Sequence, residues 1–220
     1  MEQYSRLSDK DIRKIKAVAH DDKLPYVKEL ESGTSAGVYL LTLAGARKVV
    51  LKYRALYNPS RLFRFNMEVK IGKKLRKKPS PYAIPVLYSW KERFEGDGVQ
   101  YGYVVMPYIE GKRLDKTGKK NYVKAFNQVV KQARELYHVN GIAPGDLLPT
   151  NIMVKKGGKD EGTLVFFDYD RWLPSTCMPE DDMLRNLADE WAWGWLGKTN
   201  RDLKKCYAVS QRIYDLPVPQ

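Results

Sequence analysis

The chain has 220 residues and a formal net charge of +13, a length that suits one large domain or two small lobes around one cleft. Hydrophobic residues make up 43% and aromatics 12%, enough for a packed core, which excludes wholesale disorder. No run reaches about 18 apolar residues and the start, MEQYSRLSDKD, lacks an apolar signal region, so the reading expects no transmembrane segment and a cytoplasmic protein, or one delivered into a host cytoplasm.

In chain order, residues 8–19 (SDKDIRKIKAVA) open with a Ser-x-x-Asp capping pattern and set Ile12, Ile15, Val18 and Ala19 at helical spacing. GVYLLTL (37–43) and RKVVLKY (47–53) are apolar, β-branched runs joined by Ala-Gly, which predicts a hairpin. Residues 60–77 read as a helix. Residues 84–90 and 100–108 read as strands, with Gly96–Gly98 turning between them. Val123, Phe126, Val129, Val130, Ala133, Leu136 and Tyr137 make 121–138 a long amphipathic helix. It leads into PGDLLPTN (144–151). Next, IMVKKGGKDEGTLVFF reads as two short strands around a Gly/Lys turn. A helical end follows, with Leu184, Leu187, Ala188, Trp191 and Trp195 on one face. Strands come first and helices second, which predicts an α+β protein of two lobes, 1–108 and 109–220. Cys177 and Cys206 have neither CxxC spacing nor clustered histidines, so no zinc site or disulfide framework is expected.

The candidate site is spread along this order. Lys52 lies inside the apolar run VVLKY, where it either snorkels at an edge or points into a polar site. Glu68 falls within the helical stripe of Leu62, Phe65, Val69, Gly72 and Leu75, while Lys70, Lys73, Lys74 and Lys77 take the other side. A carboxylate inside an apolar stripe is costly unless it is paired. A strand lysine followed by an inward helix glutamate is similar to the pair that phosphoryl-transfer enzymes set on the α- and β-phosphates of ATP. Asp146 and Asn151 have the Asp-x-x-x-x-Asn spacing of the kinase catalytic loop, and Asp168 of FFDYDRW stands where a kinase has a metal-binding Asp. Carboxylates and an amide are hard oxygen ligands suited to Mg²⁺. The plainer reading of these residues is turn-making and capping.

Asn140–Asn151 (NGIAPGDLLPTN) and Leu164–Asp170 (LVFFDYD), with VVLKY around Lys52, resemble the kinase domain of bacterial isocitrate dehydrogenase kinase/phosphatase. Asp168 to Arg171 also resembles lipopolysaccharide core-sugar kinases. The similarity covers about a third of the chain. It implies a protein-kinase-like fold with a strand-rich N-lobe and a trimmed helical C-lobe. It implies ATP and Mg²⁺, or Mn²⁺, as cofactors, with Lys52 and Asp146 catalytic, Asn151 and Asp168 on the metal and Asp170 accessory. Gly33 and Gly37 of ESGTSAGVYL, with Lys52 and Glu68, would lie at the nucleotide; Met106–Glu110 would form a hinge whose Met106 and Tyr108 offer backbone hydrogen bonds to adenine. The departures are specific. The 220 residues are expected to leave no room for the large regulatory domain of that dual-function family, and Arg171 stands where it has an acidic residue. Against ordinary protein kinases, Pro144-Gly145 replaces the His-Arg before the Asp, and the phosphate loop lacks the full G-x-G-x-x-G.

The function expected is a minimal atypical protein kinase phosphorylating a protein hydroxyl. The alternatives are a kinase of a lipopolysaccharide sugar or other small acceptor, and a catalytically silent nucleotide-binding scaffold. Two lysine clusters, Lys70–Lys78 and Lys112, Arg113, Lys116, Lys119 and Lys120, are either solvated surface or a face for an acidic protein substrate, an anionic surface or nucleic acid. Trp191 and Trp195 are expected in the core. His20 and His138 have no partner spacing.

Overall fold

The computed structural model describes residues 6–21, 24–30, 37–93, 98–117, 122–156 and 161–191, with backbone alone at 122–124, and within them the chain is mixed α+β. Gly33, Gly96, Lys119, Lys120, Trp193, Trp195 and Cys206 lie outside the described residues. The chain divides into two compact units, one drawn from 1–79 and 84–108, the other from 80–83 and 109–220.

The first unit begins with helix α1 (Asp9–Ala17). Ser8 caps it: its Oγ accepts the Asp11 N–H at 3.1 Å, and Asp11 Oδ2 accepts the Ser8 N–H at 3.3 Å. This reciprocal box satisfies amides that the first helical turn leaves without carbonyl partners. Five antiparallel strands follow: β1 (Val27–Glu29), β2 (Gly37–Thr42), β3 (Lys48–Ala55), β4 (Tyr88–Arg93) and β5 (Gln100–Pro107), ordered β1-β2-β3-β5-β4. Side chains alternate between the two faces. On one face Tyr39, Leu41, Val49, Leu51, Tyr103 and Val105 pack with Ile15 and Val18. Aromatic rings bridge four of the strands there: Tyr39 stacks on Tyr53 at 5.9 Å, Tyr53 on Tyr103 at 5.8 Å and Tyr103 on Trp90 at 4.4 Å.

Helix α2 (Pro59–Lys77) meets the opposite face. Asn58 caps it by accepting the Arg61 N–H at 2.9 Å, and Pro59 supplies a helix-ready φ in the first turn. Its buried residues are Phe65, Met67, Glu68, Ile71, Gly72 and Leu75. The stripe thus passes through Met67 and Ile71, while Leu62 and Val69 are only partly buried. Two glycines set the packing: a Cβ at Gly102 would lie 2.6 Å from the Phe65 ring, and one at Gly72 would collide with Val86. The strand predicted over 84–90 starts only at Tyr88. Pro85 has no N–H to give a ladder, and the Val86 N–H donates to the Gly72 carbonyl at 3.2 Å, so this stretch is drawn onto α2.

The second unit holds α3 (Tyr122–Asn140) and α4 (Glu180–Trp191). It also holds more strand than its pattern suggests. A sheet ordered β6-β8-β9 is built from β6 (Gly111–Arg113), β8 (Ile152–Lys155) and β9 (Leu164–Phe166), and β7 (Ile142–Ala143) pairs with β10 (Leu173–Pro174). Strands of two or three residues are too short to show a period, which is why β6, β7 and β10 escape a sequence reading. The helices meet through Phe126 and Trp191, ring centroids 4.9 Å apart. At the other end of the pair, Arg134 Nε lies 2.7 Å and His138 Nε2 3.0 Å from the Glu180 carboxylate. Residues 80–83 join this unit because the Phe166 N–H donates to the Tyr82 carbonyl at 2.7 Å and Ala83 bridges Phe166. No described helix is long and apolar enough to cross a membrane.

Candidate functional site

In the first unit, β3 pairs Lys52 with Val38 of β2 and Val104 of β5, and the pleat turns its side chain to the α2 face. There its Nζ donates to Glu68 Oε1 at 2.9 Å; Lys52 is 7% exposed and Glu68 wholly buried. Arg54, on the same face of β3, places Nη2 3.1 Å from Glu68 Oε2 and is 5% exposed. The sequence reading missed Arg54. Its signal was the i, i+2 spacing from Lys52, which puts two cations on one face of an apolar strand. Beyond Lys52 along that face lie Val38, Leu40 and Val50, all partly exposed, with Met106 opposite Val50.

Other residues predicted here have structural reasons of their own. A Cβ at Gly37 would collide with the Tyr53 ring, so aromatic packing accounts for that glycine without a phosphate. Met106 and Pro107 remain within β5, and the boundary between the two units falls inside the predicted hinge segment, between Tyr108 and Ile109. The Tyr108 N–H donates to the Lys48 carbonyl at 3.3 Å, which commits the backbone donor of one of the two residues read as adenine ligands.

In the second unit, the β7–β10 pairing lays 144–146 beside 171–172. A Cβ at Gly145 would lie 2.6 Å from the Arg171 carbonyl, so only glycine allows this approach. Arg171 Nε stands 3.9 Å from Asp146 Oδ2, with its side chain 54% exposed. Asn151 Nδ2 donates to the Asp146 carbonyl at 2.9 Å and to Oδ2 at 3.3 Å. The Asn151 carbonyl accepts the Phe167 N–H at 3.1 Å, which brings Asp168 next to the Asp146–Asn151 turn. Tyr169 anchors the acidic stretch: it is fully buried, 4.4 Å from Trp172 between ring centroids, and its OH donates to the Phe166 carbonyl at 3.0 Å. Asp146 and Asp168 have φ of +55° and +69°. Left-handed backbone is uncommon for side-chain-bearing residues, and Asp is among those that tolerate it. Two such residues together recur at functional sites.

The end of α4 holds this turn. The Glu190 carboxylate accepts the backbone N–H groups of Asp146 and Leu147, and Trp191 Nε1 donates to the Leu147 carbonyl at 2.6 Å. Sequence reasoning placed Trp191 only in the core and missed Glu190, because a helix glutamate beside charged neighbours carries no mark of the loop it caps. Burial pushes the Asp146 carboxyl above its usual range; Arg171 opposes this, Asp170 and Asp168 add to it, and the Asn151 hydrogen bond opposes it. Burial likewise raises Glu190, reinforced by the charge of Asp146 and opposed by Arg171 and the two amides. The candidate catalytic carboxyl therefore sits in a field set by two acids and one arginine of its own unit.

Asn151 fits a cation in one respect: its amide nitrogen is committed to Asp146, so its oxygen is the end suited to a hard cation. Asp168 would supply a carboxylate. Among the described residues no group of three or more His, Cys, Asp or Glu is gathered to hold a metal. A two-residue set suits Mg²⁺ that takes its remaining ligands from phosphates and water. A scan against protein-family models finds none that matches the chain, and a search of curated proteins finds no match.

Proposed function

We propose that the chain is a Mg·ATP-dependent phosphotransferase, a trimmed protein-kinase-like enzyme in which the first unit takes the nucleotide-covering role and the second the catalytic role. The observation that carries the reading is the buried Lys52–Glu68 pair at 2.9 Å, since a lysine held by a helix carboxylate is the arrangement that aims an ammonium at nucleotide phosphates. The strand face with partly exposed Val38, Leu40 and Val50 offers an apolar floor for a base. Asn151 and Asp168 would hold Mg²⁺, which neutralises charge on the phosphoryl oxygens. Asp146 orients the acceptor hydroxyl and takes its proton as the new O–P bond forms and the bond to ADP breaks. A raised carboxyl suits late proton acceptance better than an ordinary one.

The acceptor we favour is a protein hydroxyl, with an acidic protein matched to the +13 chain. Exposed Arg171 beside Asp146 favours a second reading, an anionic small acceptor such as a phosphorylated core sugar. The test is incubation with γ-labelled ATP and Mg²⁺, with acidic proteins, with cell lysate and with lipopolysaccharide core that keeps its anionic groups, using Lys52→Met as control. Label in a protein band that Lys52→Met loses supports the kinase; label in the glycan supports the second reading. Nucleotide binding without transfer to any acceptor, unchanged by Asp146→Asn, would instead show a silent scaffold.

A further inference from the structure

Lys52 and Arg54 stand two residues apart in β3 and converge on one carboxylate that has no exposed surface. Each oxygen of Glu68 has its own cation, Lys52 at Oε1 and Arg54 at Oε2. The two contacts differ in kind. The lysine makes a hydrogen bond, whereas Oε2 receives no aligned hydrogen bond, so the arginine acts as a charge.

We propose that Arg54 is the resident counter-ion of Glu68, a positioning residue that lets Lys52 be shared between Glu68 and the phosphates of a bound nucleotide. A lysine that turns toward phosphate oxygens loosens its hold on its carboxylate. A carboxylate buried with a partner removed is strongly destabilising. Arginine stays charged under all ordinary conditions, so Glu68 keeps a cation whether Lys52 is engaged with it or with phosphate. The hold also fixes orientation: the last torsion of a glutamate is soft, and a cation at each oxygen sets the carboxylate plane so that Oε1 stays aimed at Lys52. Either cation alone neutralises Glu68, and removing both leaves a buried charge. For phosphate binding the two are not equivalent.

The test is a thermal-denaturation cycle on the full chain with Lys52→Met, Arg54→Met and the double variant. Each single variant should lower Tm by only a few degrees. The double should lose far more than the sum, on the order of 10 °C, or fail to fold, and Glu68→Gln in the double background should restore most of the loss. Additive losses, or a double variant that Glu68→Gln does not rescue, would overturn the counter-ion role. On the folded proteins, Arg54→Met should weaken ATP binding on the order of tenfold, Arg54→Lys should recover most of it, and adenosine affinity should not move. Unchanged ATP affinity in Arg54→Met overturns the sharing with phosphate. This second arm rests on the phosphotransferase reading: a wild-type chain that binds no ATP refutes that reading and the sharing together, while the Tm cycle still decides whether Arg54 is the counter-ion of Glu68.

Discussion

The Asp146 carboxyl is more costly to ionise in the folded chain than in the unfolded one, because burial outweighs the help of Arg171 and Asn151. A carboxyl whose folded pKa is raised contributes stability that is fully present below its ordinary value of 3.8 and lost as pH rises through the raised value. Asp146→Asn removes that cost, and Asn tolerates the left-handed φ of +55° as Asp does. The variant should therefore melt at or above the wild-type Tm at pH 7, with the gap narrowing toward pH 4. Its turnover should fall about 10²–10⁴-fold with ATP affinity near wild type. A full-rate variant would remove Asp146 from the chemistry, and a less stable one would mark it as a turn cap. Asp168, at φ +69°, permits a similar separation. Asp168→Asn should keep Tm while weakening Mg·nucleotide binding. Asp168→Ala should lose the same affinity and also about 1 kcal/mol of stability to backbone strain. Equal Tm values for the two variants would show that the backbone there relaxes.

At the scale of elements, α4 acts on the site through its last turn. Trp191 Nε1 and the Glu190 carboxylate grip Leu147 and Asp146 from one helix end, and the same tryptophan packs on Phe126 of α3. Trp191→Phe keeps most of the apolar contact and leaves the Leu147 carbonyl without its donor. It should cost about 1–3 kcal/mol, read as a lowered Tm, and turnover should drop more than ATP affinity because the Asp146 turn loses a hold. A variant whose turnover is intact would show that Glu190 alone sets the turn. The elements differ in how far sequence exposed them. α1 was legible to its capping box, since Ser8 and Asp11 are three residues apart and the box is local. The start of β4 was not, because residues 84–87 are apolar like a strand, but Pro85 has no N–H, Val86 donates to Gly72 of α2 and Leu87 donates to Val105 of β5.

For the molecule as a whole, acid stability tests the α3–α4 junction. Burial raises the Glu180 carboxyl, but the hydrogen bonds and charges of Arg134 and His138 outweigh it and hold it below its ordinary value of 4.5. A lowered carboxyl contributes stability that is present above its ordinary value and lost as pH falls through the folded one. Glu180→Gln should therefore lower Tm at pH 6–7 and flatten the Tm–pH profile below about pH 4.5; parallel profiles would show that the junction does not depend on that charge. Sequence by itself determined the mixed α+β class, the main helices and hairpin, and the pairing of Lys52 with Glu68, because each rests on periodicity, on local caps, or on the rule that a carboxylate in an apolar stripe needs a cation. Tertiary structure alone decided the rest. It set Arg54 on the second oxygen of Glu68, gave Gly37 to the Tyr53 ring, committed the Tyr108 amide to Lys48, and clasped the Asp146 turn with Glu190 and Trp191. These depend on strand register and on contacts between residues far apart in the chain, as with Leu147 and Trp191, and no local pattern of residue types encodes which amide or oxygen a distant side chain will reach.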